Sequence, residues 1–371
     1  MKVGIIGLPN VGKSTLFNTI TNMEALEANY PFATIQPNVG IVDVQDERLN
    51  FLANSFRSQK IIKTQIQFID IAGLVKNASK GEGLGNQFLN HIRDVDAICH
   101  VVKCFENSNI IHVNDKVNPV EESIIVETEL ILSDLEQIEK RLSKIMKQKK
   151  TSSEKEILEE ELLKKIKFHL EKENNISQIS LTNQESKIIK NFNLLSLKPM
   201  IYIGNFEEKD LHHLKHNSFF KQMSEHAIVK KREFIPICVL LEKELSILNK
   251  EEQKNFLSMY NLKHNALQEI IQKSYKLLGL QTYFTAGEKE IKAWSFNKGM
   301  TAPECGGIIH SDFKRGFIKA EICNFADLTN FQNFQKVKEK GKLRLEGKNY
   351  IVKDGDIITF YFNVSKQKNN K

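Results

Sequence analysis

No apolar run in this 371-residue chain approaches the roughly 18 residues a membrane-spanning helix needs, so no membrane partner is expected. The stretch 1–8 holds one lysine and a short apolar run, too brief for the core of a secretory leader and without a cleavage site. Cysteine is scarce. Cys99, Cys104, Cys238, Cys305 and Cys323 make an odd count with no C-x-x-C pair. That speaks against a disulfide framework or a thiolate metal site, and for free buried thiols in a reducing cytoplasm. An excess of one charge is also missing: 53 basic against 46 acidic residues leave +7. A polyanion-coating protein is excluded, and no DNA partner is expected. With 41% hydrophobic and 27% charged residues, wholesale disorder and collagen-like fibres are excluded too.

What is present is organised in three textures. Residues 3–6, 40–44, 66–69, 97–102 and 200–203 read as short buried strands, and 14–20 as the start of a helix. Strands alternating with helices predict an α/β fold with a mostly parallel sheet covered on both faces. From 121 to 194 there is no glycine or proline, and Ile131, Leu135, Ile138, Leu142 and Ile145 repeat at coiled-coil spacing. Leu158, Leu162, Ile166 and Leu170 form a second stripe after a polar break at 148–153. An inserted antiparallel helical hairpin follows, either a solvated structural arm or a docking arm. From 281 onward short strands and turns return, with 341–352 and 354–364 expected to pair around Asp354-Gly355. The expected domains are 1–120 with 195–280, the insert 121–194, and a C-terminal module 281–365.

Gly7-Leu8-Pro9-Asn10-Val11-Gly12-Lys13-Ser14 matches G-x-x-x-x-G-K-[ST] between a predicted strand and helix, the context that motif requires. Its glycines let amides curl around a β-phosphate, and Asn10, Val11, Gly12, Lys13, Ser14 and Thr15 are the expected phosphate contacts. Lys13 is expected to reach the β- and γ-phosphates, and Ser14 to ligate Mg²⁺. Downstream, Asp70-Ile71-Ala72-Gly73 ends a strand. Asp70 is expected to hold the metal through water, Gly73 to approach the γ-phosphate, and Thr34 to join the metal shell when triphosphate is bound. Together these predict a nucleoside-triphosphate switch of the GTPase type.

Two departures bear on the chemistry. Leu74 stands where the common GTPases carry a water-orienting glutamine. The strand at 200–203 leads into Asn205-Phe206-Glu207-Glu208, an N-x-x-E that lacks the lysine and aspartate of the guanine-reading N-K-x-D. An asparagine carboxamide matches N7 and N6 of adenine, so Asn205 and Glu208 point away from strict guanine specificity.

The sequence resembles the Obg-like ATPase (YchF) family of translation-factor-class P-loop GTPases. The likeness rests on Gly7 to Asn18, Pro31 to Asn38, Asp70 to Phe88, Cys104-Phe105-Glu106, Ile110 to His112, Asn205 with Glu208, Leu280 to Trp294, Asp312-Phe313 and Tyr350 to Asp356. It covers essentially the whole length and is weakest in the insert. It implies an OBG-type G domain, a coiled-coil insertion, a C-terminal β-grasp (TGS) domain, hydrolysis of ATP and often GTP with Mg²⁺, and association with the ribosome. It accounts for Leu74, and it implies a hydrolytic role for His112, although the apolar setting of Ile110, Ile111 and Val113 equally fits a packed core histidine. It makes Asn10 a candidate K⁺ ligand. In the base-pocket segment, Cys238-Val239 replaces the common S-A, so base contacts there would come from backbone amides.

The charge is unevenly spread: −2 in 121–194 and +6 in 281–371. Lys314, Arg315, Lys336, Lys338, Lys340, Lys342 and Arg344 supply a basic surface suited to structured RNA. The TGS resemblance tilts that towards ribosomal RNA of the large subunit.

Overall fold

The computed structural model describes residues 1–25, 38–71, 84–106, 117–147, 153–172, 179–260 and 265–363. Strand β1 (Lys2–Ile6) runs into the loop that opens α1 (Lys13–Ala25). β2 (Val39–Val44), α2 (Arg48–Phe56), β3 (Lys60–Ile62) and β4 (Thr64–Asp70) follow, then α3 (Leu84–Arg93) and β5 (Ala97–Lys103). Three helices come next, α4 (Pro119–Lys147), α5 (Glu154–Glu171) and α6 (Asn183–Phe192). β6 (Met200–Asn205), α7 (Glu208–Leu211), α8 (Ser218–Lys230), β7 (Phe234–Ile237), α9 (Val239–Ser246), α10 (Lys250–Met259) and α11 (Ala266–Leu277) lead to the C-terminal portion. That portion holds β8 (Leu280–Ala286), β9 (Glu290–Asn297), α12 (Ala302–Ile309), α13 (Ser311–Arg315), β10 (Phe317–Asn324), α14 (Phe325–Phe331), α15 (Phe334–Glu339), β11 (Arg344–Glu346) and β12 (Asp356–Phe362). Two compact units result, Met1–Ile41 with Gln67–Ile270, and Val42–Ile66 with Ile271–Lys371.

The first sheet has the order β2-β4-β1-β5-β6-β7. β1 pairs in parallel with β4 and β5, β5 with β6, and β6 with β7. Every residue of β5 and β6 is buried, which is why these strands read as near-continuous apolar runs rather than alternating ones. Among the described residues, the expected phosphate, metal and base residues fall at or just beyond the C-terminal ends of β1, β4, β6 and β7, the edge where open parallel sheets bind ligands.

In the insert, Ile138, Leu142 and Ile145 of α4 pack with Leu162, Leu163, Ile166 and Leu170 of α5. Glu139 meets Lys167 and Arg141 meets Glu159, contacts that advance along one helix as they retreat along the other, so the pair is antiparallel as expected. α6 adds a third helix to this core through Ile189, and its start is closed by a capping box of Thr182 and Glu185. The returning chain is fastened by Asp134. Fully buried, it accepts hydrogen bonds from Leu195 N, Ser196 N and Ser196 Oγ at 2.9, 2.8 and 2.6 Å.

The second unit is a mixed sheet of order β11-β10-β12-β8-β9-β3. β11 and β12 do not pair with each other as the sequence suggested. Both pair antiparallel with β10, one on each side, and the turn at Gly355 (φ +84°) delivers β12 against β8 as well. The edge strand β3 comes from residues grouped by sequence with 1–120 and pairs in parallel with β9. Leu49 and Leu52 of α2 share a core with Phe284, Ile291, Cys323, Leu328 and Ile357. Burying each leucine stabilises this unit by about 2–3 kcal/mol. Arg48 joins Asp46 (Nη2, 2.7 Å) to Asp354 (Nη1, 2.7 Å), with its guanidinium carbon 5.0 Å from the Phe284 ring centroid. All five cysteines are buried, and none forms a disulfide.

Candidate nucleotide-binding site

The loop between β1 and α1 can be built only from residues that tolerate its backbone. Gly7 has φ +152°, and a Cβ there would meet the Val101 carbonyl oxygen at 2.3 Å. Gly12 has φ +99°, and a Cβ would meet Asn205 Nδ2 at 2.7 Å. Asn10 takes a left-handed φ of +62°, a conformation asparagine accepts more readily than most residues. Helix α1 starts immediately afterwards, its first turn closed by Leu16 N donating to Gly12 O at 2.9 Å. The helix N-terminus and the preceding loop amides make an anion cradle.

Lys13 is 7% exposed, and its Nζ donates to Leu8 O at 2.7 Å. Burial lowers its pKa to about 8, partly opposed by the charge of Asp70. Asp70 ends β4 with Oδ1 buried and no hydrogen-bond partner among the described residues. Ser14 is exposed and Thr15 half-buried in the first turn of α1. A buried, unpaired carboxylate oxygen near a lysine, with a hydroxyl at the helix start, is a donor set that fits hard Mg²⁺ accompanying a polyphosphate.

At the other end, Asn205 is 8% exposed. Its Nδ2 donates to Val11 O at 3.0 Å, and its Oδ1 accepts from Val239 N at 3.2 Å. The expected base reader is thus also a brace joining the phosphate loop, the end of β6 and the start of α9. Phe206, which follows it, is 2% exposed and packs on Phe220 and Phe234 (centroids 6.4 and 6.5 Å), so the position of the missing stacking lysine belongs to the core. Cys238 is the N-cap residue of α9, and burial pushes its thiol pKa up. Glu208 is exposed at the start of α7 and accepts a hydrogen bond from Tyr260.

Thr34, Gly73, Leu74 and His112 lie outside the described residues. The remaining expected residues fall into a phosphate end (Asn10 to Thr15, Asp70) and a base end (Asn205, Glu208, Cys238), linked by the Asn205 brace. Two residues were not anticipated. Tyr260 belongs to no motif and is 52 positions from its partner Glu208. His100 stands opposite Ile6 in the β1–β5 register, and full burial lowers its pKa to about 4. In sequence it is one polar letter in an apolar strand.

Strand, phosphate loop and helix in this order, with Asp70 on the neighbouring strand, make the first unit a P-loop G domain. Comparisons with known proteins agree. Residues 2–151 match a family described as "50S ribosome-binding GTPase". Residues 280–363 match the C-terminal family of YchF GTPases, described as "Protein of unknown function (DUF933)". The "Ribosome-binding ATPase YchF" of Bacillus subtilis is 48% identical over 364 residues, 98% of this chain and 100% of the relative. That of Escherichia coli O157:H7 is 45% identical over 363 residues, 98% and 99% of the two chains. The structure of the Schizosaccharomyces pombe YchF GTPase superposes with a TM-score of 0.88 at 35% identity, covering 97% of each chain. The chain belongs to the YchF family.

Proposed function

We propose that this chain is a cytoplasmic ATPase whose bound nucleotide governs its association with the ribosome. The observation that carries this is the phosphate end: a buried lysine resting on a loop carbonyl, beside a buried carboxylate oxygen with no partner among the described residues. With a pKa of about 8, Lys13 is mostly protonated at neutral pH and can leave the Leu8 carbonyl for a phosphate oxygen. The loop amides and the start of α1 complete the oxyanion cradle. Ser14, Thr34 and Asp70 would hold Mg²⁺, and the ion would supply charge neutralisation across the phosphates. Thr34 and Gly73 report the third phosphate to their loops. Leu74 cannot orient water, so His112 is the candidate to assist hydrolysis, and Asn10 is the candidate ligand for K⁺. Asn205, Glu208 and the backbone at Cys238 read the base, with ATP favoured and GTP also accepted.

Family membership supports the ribosomal partner, since the curated relatives at 44–48% identity are named ribosome-binding ATPases. Residues 281–365 are read as a TGS module facing ribosomal RNA of the large subunit, with Lys314, Lys336, Lys338, Lys340 and Lys342 exposed. Arg315 and Arg344 contribute less to such a surface because they pair with Asp312 and Glu346. Among the described residues no helix is long and apolar enough to cross a membrane.

Replacing Lys13 by alanine is expected to cut ATP hydrolysis by about a hundredfold or more with far-ultraviolet circular dichroism unchanged. Unaltered turnover overturns the phosphate-site assignment. In competition titrations, a GTP preference of about tenfold, equivalent to 1.4 kcal/mol, overturns the choice of ATP.

A further inference from the structure

The base end holds a contact between two segments far apart in the chain. Tyr260, just beyond the C-terminal end of α10, donates its hydroxyl to Glu208 Oε1. The phenol ring stacks on Phe256 (centroids 5.0 Å, interplanar angle 25°) and on His212 (5.1 Å, 19°). Tyr260, Glu208 and His212 line one open cavity of about 540 Å³. Glu208 itself is exposed on a four-residue helix, where an unheld glutamate samples many rotamers.

We infer that Tyr260 is a positioning residue for base selection, holding the Glu208 carboxylate so that it accepts from the 6-amino group of adenine. This rests on the proposed role of Glu208 in reading the base. An ionised carboxylate offers only acceptors. Adenine presents an amino donor at position 6 where guanine presents a carbonyl acceptor. A fixed acceptor at that position attracts the first and repels the second. An acceptor free to swing can instead meet the N–H donors that guanine carries elsewhere on the same edge. The rigid aromatic stack therefore converts a mobile side chain into a discriminating one, and the ordering loss on binding is correspondingly smaller.

The test is equilibrium binding of ATP, GTP and inorganic tripolyphosphate to the full chain, in the wild type, Tyr260→Phe, Glu208→Gln and the double variant. Tyr260→Phe is expected to lower the ATP-to-GTP affinity ratio by about fivefold, the effect of one lost hydrogen bond. Tripolyphosphate affinity should stay unchanged, and Tyr260→Phe should add nothing further in the double variant beyond the effect of Glu208→Gln alone. A ratio that shifts with Glu208→Gln but not with Tyr260→Phe overturns the inference while the base reading stands. A ratio moved by neither variant overturns both. Tripolyphosphate affinity falling in step with ATP overturns the inference by showing a general structural effect.

Discussion

Glu242 gives the sharpest test of the electrostatics behind the base end. It lies in α9, the helix whose first amide is held by Asn205, and it is 3% exposed. Its Oε1 accepts from Ala266 N at 2.9 Å at the start of α11, while Oε2 is buried with no hydrogen-bond partner among the described residues. Burial raises its pKa from 4.5 to about 7, only partly opposed by the amides of Ala266 and Leu267. Between these two values the native state keeps a proton that the unfolded chain has released. Glu242 therefore contributes stability that is fully present below pH 4.5 and is lost as pH rises through about 7. The difference corresponds to about 3 kcal/mol. Glu242→Gln keeps an acceptor for Ala266 N and removes the ionisation. At pH 8, about one unit above the raised pKa, the variant should be more stable than the wild type by about 2–3 kcal/mol. At about pH 4 the two should lie within about 1 kcal/mol. Urea titration followed by far-ultraviolet circular dichroism measures this, because the single tryptophan, Trp294, lies in the other unit. Glu122 is raised to about 7 as well, so the wild-type-minus-variant difference isolates Glu242. A stability difference that does not change with pH refutes the reasoning.

Asn205→Ala leaves Val11 O and Val239 N without their partner and should cost about 2–4 kcal/mol in unfolding free energy. An unchanged denaturation midpoint would mean the brace is dispensable. Arg48→Leu removes the link between Asp46 and Asp354. With Asp354 nearly half exposed, solvent screening limits the loss to about 1–2 kcal/mol, read by Trp294 fluorescence of the second unit. Asp70→Asn should raise the Mg²⁺ concentration needed for half-maximal ATP hydrolysis by about tenfold, with urea stability preserved. An unshifted Mg²⁺ titration removes Asp70 from the metal shell.

The phosphate end was legible in the sequence because it is local. Gly7 to Ser14 is contiguous, and each residue type answers to a backbone angle, an amide or a hydroxyl needed at that spot. The insert was legible for a similar reason, since a stripe at Ile138, Leu142 and Ile145 means the same thing wherever the helix lies. The base end was only half legible. Asn205 announces itself by following a strand, but its bonds to Val11 and Val239 span 194 and 34 positions, and the bond of Tyr260 to Glu208 spans 52. No local pattern marks a tyrosine for such a contact, because its ring would pack equally well on the end of any helix.

The division into units was hidden for a different physical reason. The change of texture near residue 281 marks where the larger share of the second unit begins, yet part of its core and one edge strand come from Val42–Ile66. That segment reads as strand, helix and strand, a pattern that satisfies either sheet. What commits it is complementarity at long range: Leu49 and Leu52 against Phe284 and Ile291, and Arg48 against Asp354. The consequence is topological. Thr34 and Gly73, the two residues expected to sense the third phosphate, lie on either side of this segment in the chain. The chain on either side is therefore covalently continuous with a stretch whose middle is packed in the second unit's core. A boundary drawn at 281 would cut through that core, so a fragment beginning there lacks β3, Leu49, Leu52 and Arg48, and it should unfold at lower urea than the same unit in the intact chain.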